Sequence, residues 1–130
     1  MQLLQGIRPA ESGGDSYLVD ARAAAAHLRS FDEEAYELFT RTRVRFHRKQ
    51  TARLPFARME AWYRAHDRFA RLVRDPQNQL RFSLGPGDFV LYDNYRMLHA
   101  RTAFRGARWL RGVYFDRRAL AAEVGASAPL

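Results

Sequence analysis

The sequence has 130 residues, a length that suits one small domain, and its 47% hydrophobic content is enough for a core. It contains no cysteine, which excludes disulfides, thiolate zinc sites and cysteine nucleophiles. The net charge of +8 is carried almost wholly by arginine, with Lys49 the single lysine, and the arginines are spread along the chain rather than gathered in one stripe.

A basic surface can bind nucleic acid or another polyanion, but arginines on ordinary solvated faces account for the same charge, and no nucleic-acid motif accompanies them. No apolar run approaches the roughly 20 residues needed to cross a bilayer. Met1-Gln2-Leu3-Leu4-Gln5-Gly6 lacks the charged and then apolar pattern of a signal peptide. A soluble, cytoplasmic protein with no membrane partner is expected.

The first element is a strand over Leu3 to Ile7. Pro9 to Asp15 is a turn region, and Gly13-Gly14 predicts positive backbone φ angles in a hairpin-like link to a second strand at Tyr17-Leu18-Val19. Asp20 is placed to cap a helix through Ala24 and Leu28. Ser30 and Glu33 have the spacing of a capping box, which predicts a short helix through Tyr36 and Phe39. Thr42, Val44 and Phe46 alternate with Arg41, Arg43, Arg45 and His47, the period of a strand with one basic face.

A longer helix opens at Leu54-Pro55-Phe56. Met59, Trp62, Phe69 and Leu72 form one buried stripe on it, and Asp75-Pro76 stops it. The last third is strand-rich. Phe82 and Leu84 alternate, Gly85-Pro86-Gly87-Asp88 makes a tight turn, and Phe89-Val90-Leu91-Tyr92 reads as a strand buried on both faces. Arg108 to Phe115 is another strand, and a short helix starts at Arg117. The fold class expected is mainly β with helical decoration (α+β), a sandwich or jelly roll.

The chemistry concentrates in Tyr92 to Arg101 and Arg108 to Asp116. His99 follows a strand and a polar turn, and Arg108 opens a strand nine positions later, so the two can face one cavity from neighbouring strands. Imidazole is a common iron ligand. Guanidinium suits bidentate capture of a carboxylate. Alternation puts Arg108, Leu110, Gly112 and Tyr114 on one face, with Trp109, Val113 and Phe115 towards core on the other. Taken singly, His99 fits a structural histidine, Arg108 a surface residue and Tyr114 a packing residue. Their combination is what points to a site. Arg108 and Tyr114 are roughly 20 Å apart along an extended strand, so a shared cavity needs a bend, for which Gly112 is the candidate.

Pro86-Gly87-Asp88, then Asp93-Asn94-x-Arg96-x-Leu98-His99-x-Arg101, then Arg108-x-Leu110-x-Gly112-x-Tyr114-x-Asp116 resembles the C-terminal signature of the γ-butyrobetaine and trimethyllysine dioxygenases, within the wider taurine dioxygenase (TauD/TfdA) superfamily. Gly13-Gly14-Asp15-Ser16 with Val19-Asp20 is similar to the glycine-rich motif of those enzymes. Leu54-Pro55-Phe56 with Tyr63 and Phe69 is similar to their internal helix. The resemblance runs from about Leu3 to Asp116.

It implies a double-stranded β-helix and an oxidoreductase, a dioxygenase using Fe(II) and 2-oxoglutarate to hydroxylate a small, betaine-like quaternary-ammonium substrate. His99 then matches a metal ligand. Arg108 matches the arginine that binds the far carboxylate of 2-oxoglutarate. Tyr114 matches an aromatic contact to the trimethylammonium group, where cation–π attraction favours a ring.

The family's other ligands come as His-x-Asp or His-x-Glu just before the strand that Leu3 to Ile7 resembles. His27 and His47 have Arg29 and Lys49 in the carboxylate place, and His66-Asp67 is adjacent on a predicted helix. The link between Phe46 and Leu54 is also short for the family. The expectation is one N-terminally incomplete oxygenase domain over residues 1–130, with the missing ligands encoded upstream. An inactive remnant, or an oligomer that completes the site between chains, are the alternatives. A basic binding module on Arg41, Arg43, Arg45, Arg48 and Lys49 is the third reading.

Overall fold

A computed structural model describes residues 1–43, 45–46, 52–53 and 55–124. Val44, His47, Arg48, Lys49 and Leu54, which carry part of the expected basic strand and the start of the expected long helix, lie outside those residues.

The strands are β1 (Gln2–Arg8), β2 (Ser12–Gly13), β3 (Ser16–Asp20), β4 (Arg45–Phe46), β5 (Ala52–Arg53), β6 (Leu80–Phe82), β7 (Phe89–Tyr92), β8 (Met97–Arg101), β9 (Phe104–Arg105) and β10 (Trp109–Tyr114). The helices are α1 (Ala21–Phe31), α2 (Glu33–Arg41), α3 (Phe56–Arg74) and α4 (Arg117–Val124), and a single 3-10 turn (Pro76–Asn78) follows α3. The chain divides into two compact units, Met1–Leu18 with Leu80–Leu130, and Val19–Gln79. Helix and strand are thus mixed, and the strands pair antiparallel where their register is defined. Three of the helices make a core of their own, which is more than decoration on a sheet.

In the helical unit, Asp20 caps α1 as its position predicts, accepting from the amides of Arg22 and Ala23. The cap of α2 is different from the one expected. Ser30 remains inside α1 and donates to the carbonyl of His27, while Asp32 accepts from the amide of Ala35 at 3.0 Å. A carboxylate satisfies the free amides at a helix start and is favoured by the helix dipole, so Asp32 outcompetes the serine. Arg68 of α3 pairs with the same carboxylate, tying α3 to the start of α2.

Leu28, Ala35 and Ala65 form the buried centre, with Tyr36, Leu38, Phe39, Phe69 and Leu72 packed against it. Trp62 is also buried, and its ring lies 5.9 Å from that of Phe39. The apolar stripe of α3 is therefore real, and Asp75 and Pro76 end the helix as expected. Four arginines of these helices pair with an acid one turn away: Arg29 with Glu33, Arg41 with Glu37, Arg64 with Glu60, and Arg71 with Asp67. That is the behaviour of solvated helix faces. The basic stretch after α2 is only partly a strand among the described residues, since α2 runs to Arg41 and Arg45–Phe46 pairs with Ala52–Arg53.

In the strand unit, one sheet has the order β10-β1-β7 and another the order β6-β3-β8. β1 and β3 thus belong to different sheets, which corrects the expected hairpin. Gly13 and Gly14 do have φ of +69° and +80°, but β2 pairs with β9 instead. The turn at Gly85-Pro86-Gly87-Asp88 forms, and it is fastened to β1: Gly6 donates to the carbonyl of Asp88 and accepts from the amide of Gly87. A side chain at Gly6 would sit 2.3 Å from the carbonyl oxygen of Gly85, so glycine is required for that approach.

The outer face of the first sheet also departs from expectation. Phe89 is 67% exposed, Trp109 63% and Val113 47%, so β7 is buried on one face only and Trp109 and Val113 do not point into a core. Apolar residues are read as interior from composition, yet much of a folded surface is apolar too.

These burials make a simple prediction. Leu28→Ala should cost about 2–5 kcal/mol, whereas Phe56→Ala, at a fully open position, should change stability by less than about 0.5 kcal/mol. Urea unfolding of the two variants tests this.

Candidate functional site

A cavity of about 200 Å³ lies within the strand unit. Leu4, Val90, Tyr92 and Leu110 line it from the first sheet, and Ser16, Phe82 and His99 line it from the second. The chain reaches both walls because β7 ends at Tyr92 and β8 begins at Met97. Between them Asp93 folds a tight turn, accepting from the amides of Arg96 and Met97 with its carbonyl and of Tyr95 with its side chain. Sequence reading put His99 and Arg108 on neighbouring strands. They meet at the cavity from different sheets, His99 from inside β8 and Arg108 from the residue that leads into β10.

His99 lines the cavity while remaining exposed, and its ring lies 5.7 Å from that of buried Tyr92. The Tyr92 hydroxyl donates to Gln2 Oε1 at 2.7 Å. Burial, and then Tyr114, raise its pKa above the ordinary tyrosine value.

Arg108 is half-buried, and Nη2 donates to Ser16 Oγ at 3.4 Å. Burial, and then the charge of Arg101, lower its pKa, as expected for a cation taken from water and placed near another. It stays protonated at neutral pH. Among the described residues no carboxylate pairs with it. Gly14 leaves room beside it: a Cβ there would crowd Arg108 Nε at 3.1 Å, and the backbone φ of +80° is one that other residues rarely adopt.

The loop next to Gly14 is pinned in turn. Asp15 accepts from Arg81 Nη2 at 2.8 Å and from Ser83 Oγ at 2.5 Å, and its carbonyl accepts from the amide of Thr102. The hydrogen bonds from Ser83 and Arg81 hold the Asp15 carboxyl below its ordinary value of 3.8.

Tyr114 is not among the residues that line this cavity. It lines a separate depression with Met1, Asp93, Tyr95, Asp116 and Arg117, where Arg117 pairs with Asp93. The bend that Gly112 was to supply is absent at that point, since Gly112 sits in unbroken register opposite Leu4. Of the three residues singled out from sequence, the structure brings His99 and Arg108 together. The sequence reading did not single out Ser16, Tyr92, Arg101 or Phe104 as site residues; Ser16, Tyr92 and Arg101 belonged to segments already noticed, and proximity within those segments was the signal.

Among the described residues, no group of three or more His, Asp or Glu is placed to hold a metal ion. His66 stacks on Trp62 and Asp67 pairs with Arg71, so that adjacent pair is engaged on α3. No helix among the described residues is long and apolar enough to cross a membrane.

The profile of the "Taurine catabolism dioxygenase TauD, TfdA family" matches residues 1–60 and 51–114. The two pieces meet at residues 51–60, close to the short link between Phe46 and Leu54. A trimethyllysine dioxygenase of Meyerozyma guilliermondii is 27% identical over 153 aligned positions, covering 90% of this chain and 38% of that protein. The mitochondrial trimethyllysine dioxygenase of Gallus gallus is 41% identical over 64 positions, covering 49% of this chain and 15% of its own. The γ-butyrobetaine dioxygenase of Homo sapiens is 24% identical over 155 positions, covering 89% and 40%. The chain therefore spans less than half the length of these relatives.

Asp15 gives a pH prediction. Its folded pKa is depressed, so its contribution to stability is fully present above the ordinary value of 3.8 and is lost as pH falls through the lower folded value. Asp15→Asn should flatten that acid limb when unfolding is followed against pH.

Proposed function

We infer the function from one premise: this chain belongs to the Taurine catabolism dioxygenase TauD, TfdA family. The protein acts as a 2-oxoglutarate-dependent, iron(II)-dependent dioxygenase on a small quaternary-ammonium substrate of the betaine class. The two three-stranded sheets are then part of a double-stranded β-helix. One observation carries the reading: His99 and Arg108 line one cavity, and Arg108 has no carboxylate partner among the described residues.

The residues fit 2-oxoglutarate at its far carboxylate. Arg108 would bind that group with its planar fork, and Ser16 would hold the guanidinium in place while offering its own hydroxyl. Held there, 2-oxoglutarate would supply two electrons for the reduction of O₂, leaving as succinate and CO₂, with one oxygen atom in succinate and the other in the hydroxylated substrate. The cavity's apolar walls, Leu4, Val90 and Leu110, lower the local dielectric and would strengthen the ion pair. Tyr114 and Tyr95 line the separate depression, where their rings would suit an ammonium group. The names of the relatives, trimethyllysine and γ-butyrobetaine dioxygenase, favour a trimethylammonium substrate.

An iron(II) ion is not fitted by the described residues alone, because His99 is one imidazole and no cluster of three donors accompanies it. The reading assigns the cosubstrate end of the site to these residues. The same observation favours a second reading, a non-catalytic member of the family that retains the anion pocket.

Incubating the protein with iron(II), 2-oxoglutarate and γ-butyrobetaine or trimethyllysine, and measuring succinate, separates the two. Succinate formation supports the first reading; 2-oxoglutarate binding without turnover supports the second. Arg108→Gln should weaken 2-oxoglutarate binding about tenfold or more, since a hydrogen bond to a charged group contributes about 1.5–3 kcal/mol. Unchanged binding by calorimetry would remove Arg108 from the site.

A further inference from the structure

Arg101 shares the cavity wall with Arg108, and both stand over one ring. The guanidinium carbon of Arg101 is 4.6 Å from the centroid of Phe104, and that of Arg108 is 5.8 Å. Two like charges around one ring repel each other, and each is more stable when an anion lies between or beside them. Among the described residues no carboxylate pairs with Arg101 either, whereas four arginines on α1 to α3 each have an acid one turn away.

Arg101 is also fixed in place. Nη1 donates to the carbonyl of Thr102 at 3.2 Å, and its own carbonyl accepts from the Tyr17 hydroxyl. Thr102 is held by the glycine loop, since its Oγ1 accepts from the amide of Gly14 at 2.9 Å and its amide donates to Asp15. One side-chain hydrogen bond leaves most of the five guanidinium donors available. Its placement is consistent with a positioned donor, because a cation over an aromatic face is oriented without being neutralised.

We propose that Arg101 is a second anion-binding residue of this cavity, set beside Arg108 by the shared ring of Phe104 and acting on the far carboxylate of 2-oxoglutarate. The proposal rests on the reading of Arg108 given above and adds to it a residue and a platform. Arg108 supplies the deeper fork, and Arg101 supplies a solvent-side charge that draws the dianion in and covers its outer oxygen.

The test titrates the full protein with 2-oxoglutarate, and with 2-oxobutyrate, which lacks the far carboxylate, using ligand-observed NMR. Arg101→Gln is expected to weaken 2-oxoglutarate about tenfold and to leave 2-oxobutyrate unchanged. Arg101→Lys should recover part of the loss, because the charge remains while the fork is gone. Phe104→Leu, which keeps both charges and removes the ring, should also weaken 2-oxoglutarate.

An equal loss for both ligands in Arg101→Gln would mean a structural role and overturn the proposal. So would unchanged 2-oxoglutarate binding in Arg101→Gln while Arg108→Gln loses it. If Arg108→Gln also binds as the parent does, the cosubstrate reading itself falls, and the proposal with it.

Discussion

Arg108 must hold a positive charge between two sheets with no carboxylate beside it among the described residues, and much of the strand unit is arranged around that constraint. Gly14 leaves out a side chain that would crowd the guanidinium. Ser16 accepts one of its hydrogen bonds, and Phe104 gives it a ring face. Asp15 could have neutralised it, but that carboxylate is occupied by Arg81 and Ser83. The acid between Gly14 and Ser16 is thus turned to a different strand, and Arg108 is left with capacity for an external anion. A half-buried cation without a counter-ion among the described residues is costly, and a bound anion would offset that cost.

The other unit solves a different problem. Helices α1 to α3 supply a core around Leu28 that owes nothing to the cavity, and their arginines are matched by acids one turn away. Much of the basic charge is therefore ordinary helix surface. The arginines that lack such partners are the informative ones, and two of them, Arg101 and Arg108, line one cavity.

Sequence made local features legible because their causes are local. Positive φ at Gly13 and Gly14, the Asp20 cap, the end of α3 at Asp75-Pro76 and the turn at Gly87 each depend on a few adjacent residues. Partner choice was not legible. Nothing in Leu3 to Ile7 or Tyr17 to Val19 says that these strands join different sheets, because pairing with β10, β7 and β6 spans tens of residues. Exposure of Trp109 and Phe89 was missed for a related reason: alternation separates two faces without saying whether the second is covered. For the site, family-like spacing found His99 and Arg108, but their approach depends on the crossing at Asp93. Arg101 and Ser16 gain their role from the folding of the glycine loop against β9, which no spacing encodes.

The central claim is that Arg108 receives a carboxylate from outside the chain. A crystal structure of the protein soaked with 2-oxoglutarate tests it most directly. The account predicts the far carboxylate in hydrogen-bonding contact with the Arg108 guanidinium, beside Ser16 Oγ. A ligand bound elsewhere, or an Arg108 already paired with an acid of its own chain, would contradict it.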